Sequence, residues 1–233
     1  MKKHLTLIFS VIALFTLAGH VYAQKRQVKA KPVAPAASKA NQTDSRADFY
    51  GGFEGSTYKN KFFGLKIEIP EKWVIQESEV NKAIKQTGSE MVKGKTAQTE
   101  KALDAAFQRL TVLFTASKDI LGMGNNAIMI LSAEKAPATV PYRSGKDYLR
   151  LNLDSFKRVQ LPPDFKYSET INSEKLGNET FYSLDIQRSG FKQRFYATAR
   201  KGYALFFTLS YMTDEDLETI KGIIRNSDFA WKE

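Results

Sequence analysis

Few groupings in this chain of 233 residues have types and spacings that chemistry uses. Ser132-Ala133-Glu134-Lys135 has the Ser-x-x-Lys spacing of some acyl-transfer enzymes, but it closes a predicted strand and lacks the helix and companion motifs such chemistry requires. It reads as a chance spacing. Asp214, Glu215, Asp216 and Glu218 offer carboxylates to a hard cation, yet they stand where acids complement the positive end of a helix. Gly122-x-Gly124 is a fragment of a phosphate-binding pattern without its third glycine or following helix, and reads as a loop. Asn41-Gln42-Thr43 and Asn178-Glu179-Thr180 spell glycosylation sequons, which matter only in a eukaryotic secretory pathway.

Two groupings have more weight as binding surfaces. Arg188, Lys192, Arg194, Arg200 and Lys201 gather at the ends of adjacent predicted hairpin strands, and with Tyr196 they suit an acidic partner or anionic ligand. The blander reading, which we favour, pairs Arg194 with Asp185 and leaves the others as solvated edges. Phe49-Tyr50-Gly51-Gly52-Phe53 is an aromatic and glycine segment. Phe49, Tyr50 and Phe53 either pack back onto the domain, the favoured reading, or anchor a partner.

The first 23 residues read as a secretory signal: Lys2 and Lys3, an apolar run from Leu5 to Leu17, and Val21-Tyr22-Ala23 as the cleavage site. The run is too short to span a bilayer, for which roughly 20 residues are needed. Both histidines, His4 and His20, lie in this leader, and the chain has no cysteine. A mature chain starting at Gln24 would therefore lack imidazole bases, thiolate nucleophiles and the usual nitrogen and sulfur metal ligands. We expect no cofactor, no metal and no catalysis, and a soluble protein exported to the periplasm or extracellular space. No later segment approaches transmembrane length.

Loss of Lys2 and Lys3 from 35 basic residues, against 25 acids, leaves a net charge of +8. Residues 24–48 hold six basic and two acidic residues in a Pro- and Ala-rich stretch without aromatics, which predicts a flexible basic tether. Its weak contact with anionic polymers is an open alternative to a solubilising spacer. Residues 49–233 have the length of one domain, which must be stabilised by packing without disulfides.

The elements that would position these residues follow from periodicity. Phe63, Leu65, Ile67 and Ile69 alternate with polar residues in a strand over Lys61–Ile69 stopped by Pro70, and Trp73-Val74-Ile75 opens a second. Two helices are predicted between Ser78 and Arg109, the second carrying Leu103 and Phe107. Strands follow at Leu110 to Ala116 and Ala127 to Ala133, then a helix capped by Ser144 with Leu149, Leu153 and Phe156 on one stripe. Strands 180–188, 191–200 and 203–212 are joined by the two-residue turns Ser189-Gly190 and Lys201-Gly202. These turns set Leu184 opposite Phe195, Asp185 opposite Arg194, Ala197 opposite Phe206 and Tyr196 opposite Phe207. Both faces of that sheet are apolar and need cover. The prediction is an α+β fold, an α/β/α sandwich with a largely antiparallel central sheet covered by helices on both faces. A last helix, capped by Thr213, turns Leu217, Ile220 and Ile224 inward, and Phe229 and Trp231 dock the C-terminus.

Tyr58 to Trp73, with its Phe62-Phe63-Gly64-Leu65-Lys66-Ile67-Glu68-Ile69-Pro70 core, and the ending from Gly202 through the acidic helix to Ser227-Asp228-Phe229 resemble the PsbP-like family. Extrinsic photosystem II subunits belong to that family, and a Ran-binding nuclear import factor shares the fold. The resemblance covers about Tyr58 to Phe229 and rests on structural residues. It implies an α/β/α sandwich used for assembly or protein contact, without known catalysis; metal-binding histidines of some plant members have no counterpart here. The functional expectation is an exported, non-enzymatic domain that binds another exported or envelope protein. The alternatives are a small-ligand or polyanion-binding carrier and, third, a carboxylate-only hydrolase, which needs a second carboxylate beside an unpaired Asp185.

Overall fold

The computed structural model describes residues 44–76, 81–82, 93–94, 96–121, 126–161 and 163–232. The leader, most of the predicted tether, most of the first predicted helix after Ser78 and the Gly122-x-Gly124 loop lie outside them.

The centre is an antiparallel sheet of eight strands. Its path runs β10 (Asn172–Leu176), β11 (Glu179–Arg188), β12 (Phe191–Arg200), β13 (Tyr203–Tyr211), β7 (Ile128–Lys135), β6 (Leu110–Ser117), β4 (Val74–Ile75), and β9 (Lys166–Tyr167) joins β11 beside β10. All four predicted cross-strand pairs of the C-terminal meander are present. The second turn dictates the β12–β13 register because Lys201 and Gly202 both take positive φ, the twist that a two-residue hairpin needs.

Side chains alternate between two buried layers. One face meets α2 (Ala97–Arg109) and α3 (Gly145–Phe156) through Leu103, Phe107, Leu149 and Phe156 against Leu184, Phe195 and Phe206. Ser144 caps α3, accepting the Asp147 N–H at 3.2 Å. The other face meets α4 (Asp214–Arg225), with Leu217, Ile220 and Ile224 against Phe181, Phe207 and Leu209. Here α4 shares the cover with a three-stranded sheet of β1 (Gly52–Glu54), β2 (Thr57–Asn60) and β3 (Leu65–Glu68), which contributes Tyr58, Phe63, Leu65 and Ile67. The fold is thus α+β, a mostly antiparallel sheet packed against helices on both faces. A small pair, β5 (Lys93–Gly94) with β8 (Val159–Gln160), stands apart.

Two local expectations are corrected. The strand over Lys61–Ile69 is shorter, because Asn60 Oδ1 accepts the Phe63 N–H at 2.7 Å and Gly64 takes φ +66°, so residues 61–64 form a turn. Phe63, Leu65, Ile67 and Ile69 are nonetheless all buried. The last residues of the predicted tether, from Asp44, belong to a helix, α1 (Asp44–Tyr50). A helix this short gains its stability from tertiary contact, here the Phe49 ring lodged 5.3 to 5.6 Å from Phe62, Phe63 and Tyr203.

Candidate binding sites

The basic residues do not converge. Lys192 and Arg200 sit eight positions apart on an extended strand, roughly 26 Å at about 3.3 Å per residue, so the five predicted cations divide between the two ends of the sheet. At one end Arg188 clasps Asp164 at 2.9 and 3.2 Å, and Lys192 reaches Asp214 at 3.2 Å. At the other, Arg200 pairs with Glu179 and donates to the Phe63 carbonyl at 2.8 Å, and the Lys201 ammonium lies 4.9 Å from the Phe62 ring centre. Arg194 holds Asp185 through two hydrogen bonds of 2.6 and 2.9 Å, the pairing expected from the register. Tyr196 is fully buried and donates to Glu174 at 2.5 Å. Burial and then that hydrogen bond push its phenol well above the usual tyrosine range. Glu174 is held from the other side by Lys221 at 2.8 Å, so this row stitches β10 to α4.

The remaining motifs have structural places. Ser132 is buried beneath the helices on one face while Lys135 is exposed at the strand end; residues i and i+3 of a strand point to opposite faces, so the two cannot act together. Asp216 donates its N–H to Thr213 Oγ1 and accepts the Thr213 hydroxyl, so the acid belongs to the N-cap of α4. Asn178 docks the C-terminus, bonding Asp228 and the Phe229 N–H.

The aromatic and glycine segment builds a groove. Phe49 and Phe53 are partly buried against the core, whereas Tyr50 is 40% exposed. Tyr58 Oη donates to the Tyr50 carbonyl at 2.6 Å, drawing the segment over the sheet. Gly51, at φ +65°, passes so close to β2 that a Cβ would lie 2.4 Å from the Lys59 carbonyl oxygen, so the approach requires glycine. Between this segment and the Leu110–Phe114 stretch of β6 lies an open groove of about 470 Å³, walled by Tyr50, Phe53, Tyr58 and Phe114. Asn81 and Lys82 also line it, and Asn81 Oδ1 is buried without a hydrogen bond. β4 pairs with β6 only at Ala116 and Ser117, and a register shift between Val112 and Phe114 bends β6 here. An apolar cleft with a few directed polar groups is the usual form of a ligand or peptide site.

One buried cluster was missed from the sequence. Glu134, fully buried on β7, accepts from Tyr142 at 3.1 Å and Tyr148 at 3.0 Å, with Arg109 at 3.4 Å. The only signal was an acid inside a strand reading as apolar, and no spacing rule links it to Tyr142 in the following loop or to Tyr148 on the later helix. β10 was also missed, though Gly177-Asn178 before β11 is a two-residue hairpin turn by type.

No family model and no curated protein matches the sequence. Among solved structures the chain is similar to one from Bacteroides thetaiotaomicron, with a TM-score of 0.42 and 12% identity, covering 78% of this chain. It spans 50% of that protein's length. Cyanobacterial PsbP is also among them. That solution structure, from Synechocystis, gives a TM-score of 0.41 and 13% identity over 76% of this chain and 95% of its own. LpqN of Mycobacterium tuberculosis, described as involved in cell envelope biogenesis, gives 0.36 and 11% over 70% and 81%. These likenesses concern the course of the chain and bring no residue role with them. Among the described residues no helix is long and apolar enough to cross a membrane.

Proposed function

We propose that this protein is exported and acts as a non-enzymatic binding domain, taking an apolar segment of another envelope or extracellular protein into the groove between Phe53 and β6. The observation that supports this reading is the groove itself: four aromatic side chains and a bent strand edge, with Lys82 as its charged wall residue among those described. The leader supports export, and the chain after it, without histidine or cysteine, has no imidazole base or thiolate nucleophile. A two-carboxylate mechanism finds no support at Asp185, whose oxygens are both engaged by Arg194.

The test is affinity capture from the native envelope and secreted fractions with the wild type and with Gly52→Trp. A Cβ at Gly52 meets nothing within 4 Å, so the indole can enter the groove without disturbing β1. A stoichiometric partner that survives high salt and is lost in Gly52→Trp is the expected result. Partners that wash off with salt, or that bind the variant equally, sink the reading.

A further inference from the structure

At the other edge of the central sheet, a pocket of about 350 Å³ opens where β9 leaves β11, lined by Lys166, Ser168, Asp185, Gln187, Lys192 and Tyr211. It shares no residue with the groove. Tyr211 is only 4% exposed and lines this pocket; its hydroxyl bonds no described residue and keeps access to solvent there. A phenol with its ring packed and its hydroxyl reachable is a donor open to water or to a ligand. Burial, with the negative Asp185 nearby, pushes its pKa up to about 12, so the hydroxyl keeps its proton as a donor.

The charges around this hydroxyl limit what can fill the pocket. Lys166, Lys192 and Arg194 face Asp185 and Asp214, a formal surplus of one positive charge. That surplus favours an anion and disfavours an ammonium ligand. Lys192 is only loosely committed, because its partner Asp214 is 87% exposed and such pairs are weak. Asp185 cuts the other way. Arg194 uses one lone pair on each of its oxygens, which leaves the others on a side chain 39% exposed. Those lone pairs repel a bare anion and require donors. A ligand that satisfies both sides has a carboxylate at one end and hydroxyl groups at the other, on a body small enough for this volume.

We propose that this pocket binds a sugar acid, free or at the end of an acidic oligosaccharide, with its carboxylate between Lys166 and Lys192 and its hydroxyls bonded to Asp185 and Tyr211. Gln187 and Ser168 complete the polar wall. This is a small-ligand site, independent of the protein-binding groove.

Calorimetric titration of the full chain with a galacturonate trisaccharide, a neutral galactose trisaccharide and inorganic phosphate tests it. The acidic sugar is expected to bind, with the neutral sugar and phosphate each at least roughly tenfold weaker, about the value of one good polar contact. Tyr211→Phe, which keeps the ring, and Lys166→Gln, at an exposed position, are each expected to lose roughly tenfold, and Gly52→Trp to change nothing. No binding of the acidic trisaccharide, equal binding of the neutral sugar or of phosphate, or unchanged affinity in Lys166→Gln overturns the proposal. Lys166→Gln decides the matter if Tyr211→Phe lowers the unfolding midpoint.

Discussion

The two faces of the central sheet solve the same burial problem with opposite placement of their polar groups. Beneath α2 and α3, polarity sits in the middle: Glu134 with its tyrosines is fully buried, and the Thr115, Ser132 and Thr208 hydroxyls are buried without hydrogen bonds. Beneath α4 and the small sheet, the middle is aromatic, with Phe181, Phe207 and Phe229 in edge-on contact, and the ion pairs of Arg194, Arg200 and Lys221 stand at the margin. Water can compensate a lost partner at the margin but not in the middle, so equal chemical changes should have unequal costs.

Glu134→Ala tests this most severely. It strips a buried carboxylate from two tyrosine hydroxyls and Arg109, which should lower unfolding stability by about 3 kcal/mol, the low end for breaking a buried pair. Asp185→Ala, at the opposite margin, should cost about 1 kcal/mol or less. Urea denaturation of both variants checks the contrast, and equal losses would break it. The helices differ in the same sense. Gly145 opens α3 so close to β12 that a Cβ would lie 1.9 Å from the Ala197 carbonyl oxygen, whereas a Cβ at Gly222 in α4 meets nothing within 4 Å. Gly145→Ala must lift α3 and should cost about 1–3 kcal/mol. Gly222→Ala should stabilise by about 0.5–1 kcal/mol through helix propensity. Thermal melts of the pair would give shifts of opposite sign. Thr208→Val, which removes a buried hydroxyl that bonds to nothing, should stabilise by about 1 kcal/mol; destabilisation there would mean that a ligand or water serves that hydroxyl.

The unequal legibility of the sequence follows the same division. The C-terminal meander could be read to the residue because two-residue turns fix register locally, and α4 because Thr213 and its acids mark a start that only a helix needs. The pairing of Asp185 with Arg194 came directly from that register. What depended on distant chain was hidden. The groove joins Tyr50 and Phe53 to Phe114 across some sixty positions, and no local spacing announces it. Glu134 meets Tyr148 because α3 lies over β11, β12 and β13, the last of which neighbours β7, and the sugar-acid pocket needs β9, which two residues of strand scarcely signal. The basic residues misled for the converse reason: adjacency on hairpins suggests a patch, while the extension of β12 sends them to opposite ends.

The smallest expected effect concerns acid. Burial raises the Glu174 carboxyl, but the hydrogen bonds from Lys221 and Tyr196 outweigh it and hold the group below its usual 4.5. A carboxyl whose pKa is lower in the folded state binds protons more readily when unfolded. Its contribution is therefore fully present above pH 4.5 and is lost as the pH falls through the lowered folded value. Lys221→Met removes the stronger of the two supports while keeping an apolar stem of similar length on α4. Stability of the variant should fall less steeply than wild type below pH 4.5, and the two curves should run parallel at neutral pH, separated by a small constant loss. Parallel curves throughout the acid range would show that the margin gains nothing from the Lys221 charge, and that Tyr196 alone sets the environment of the Glu174 carboxylate.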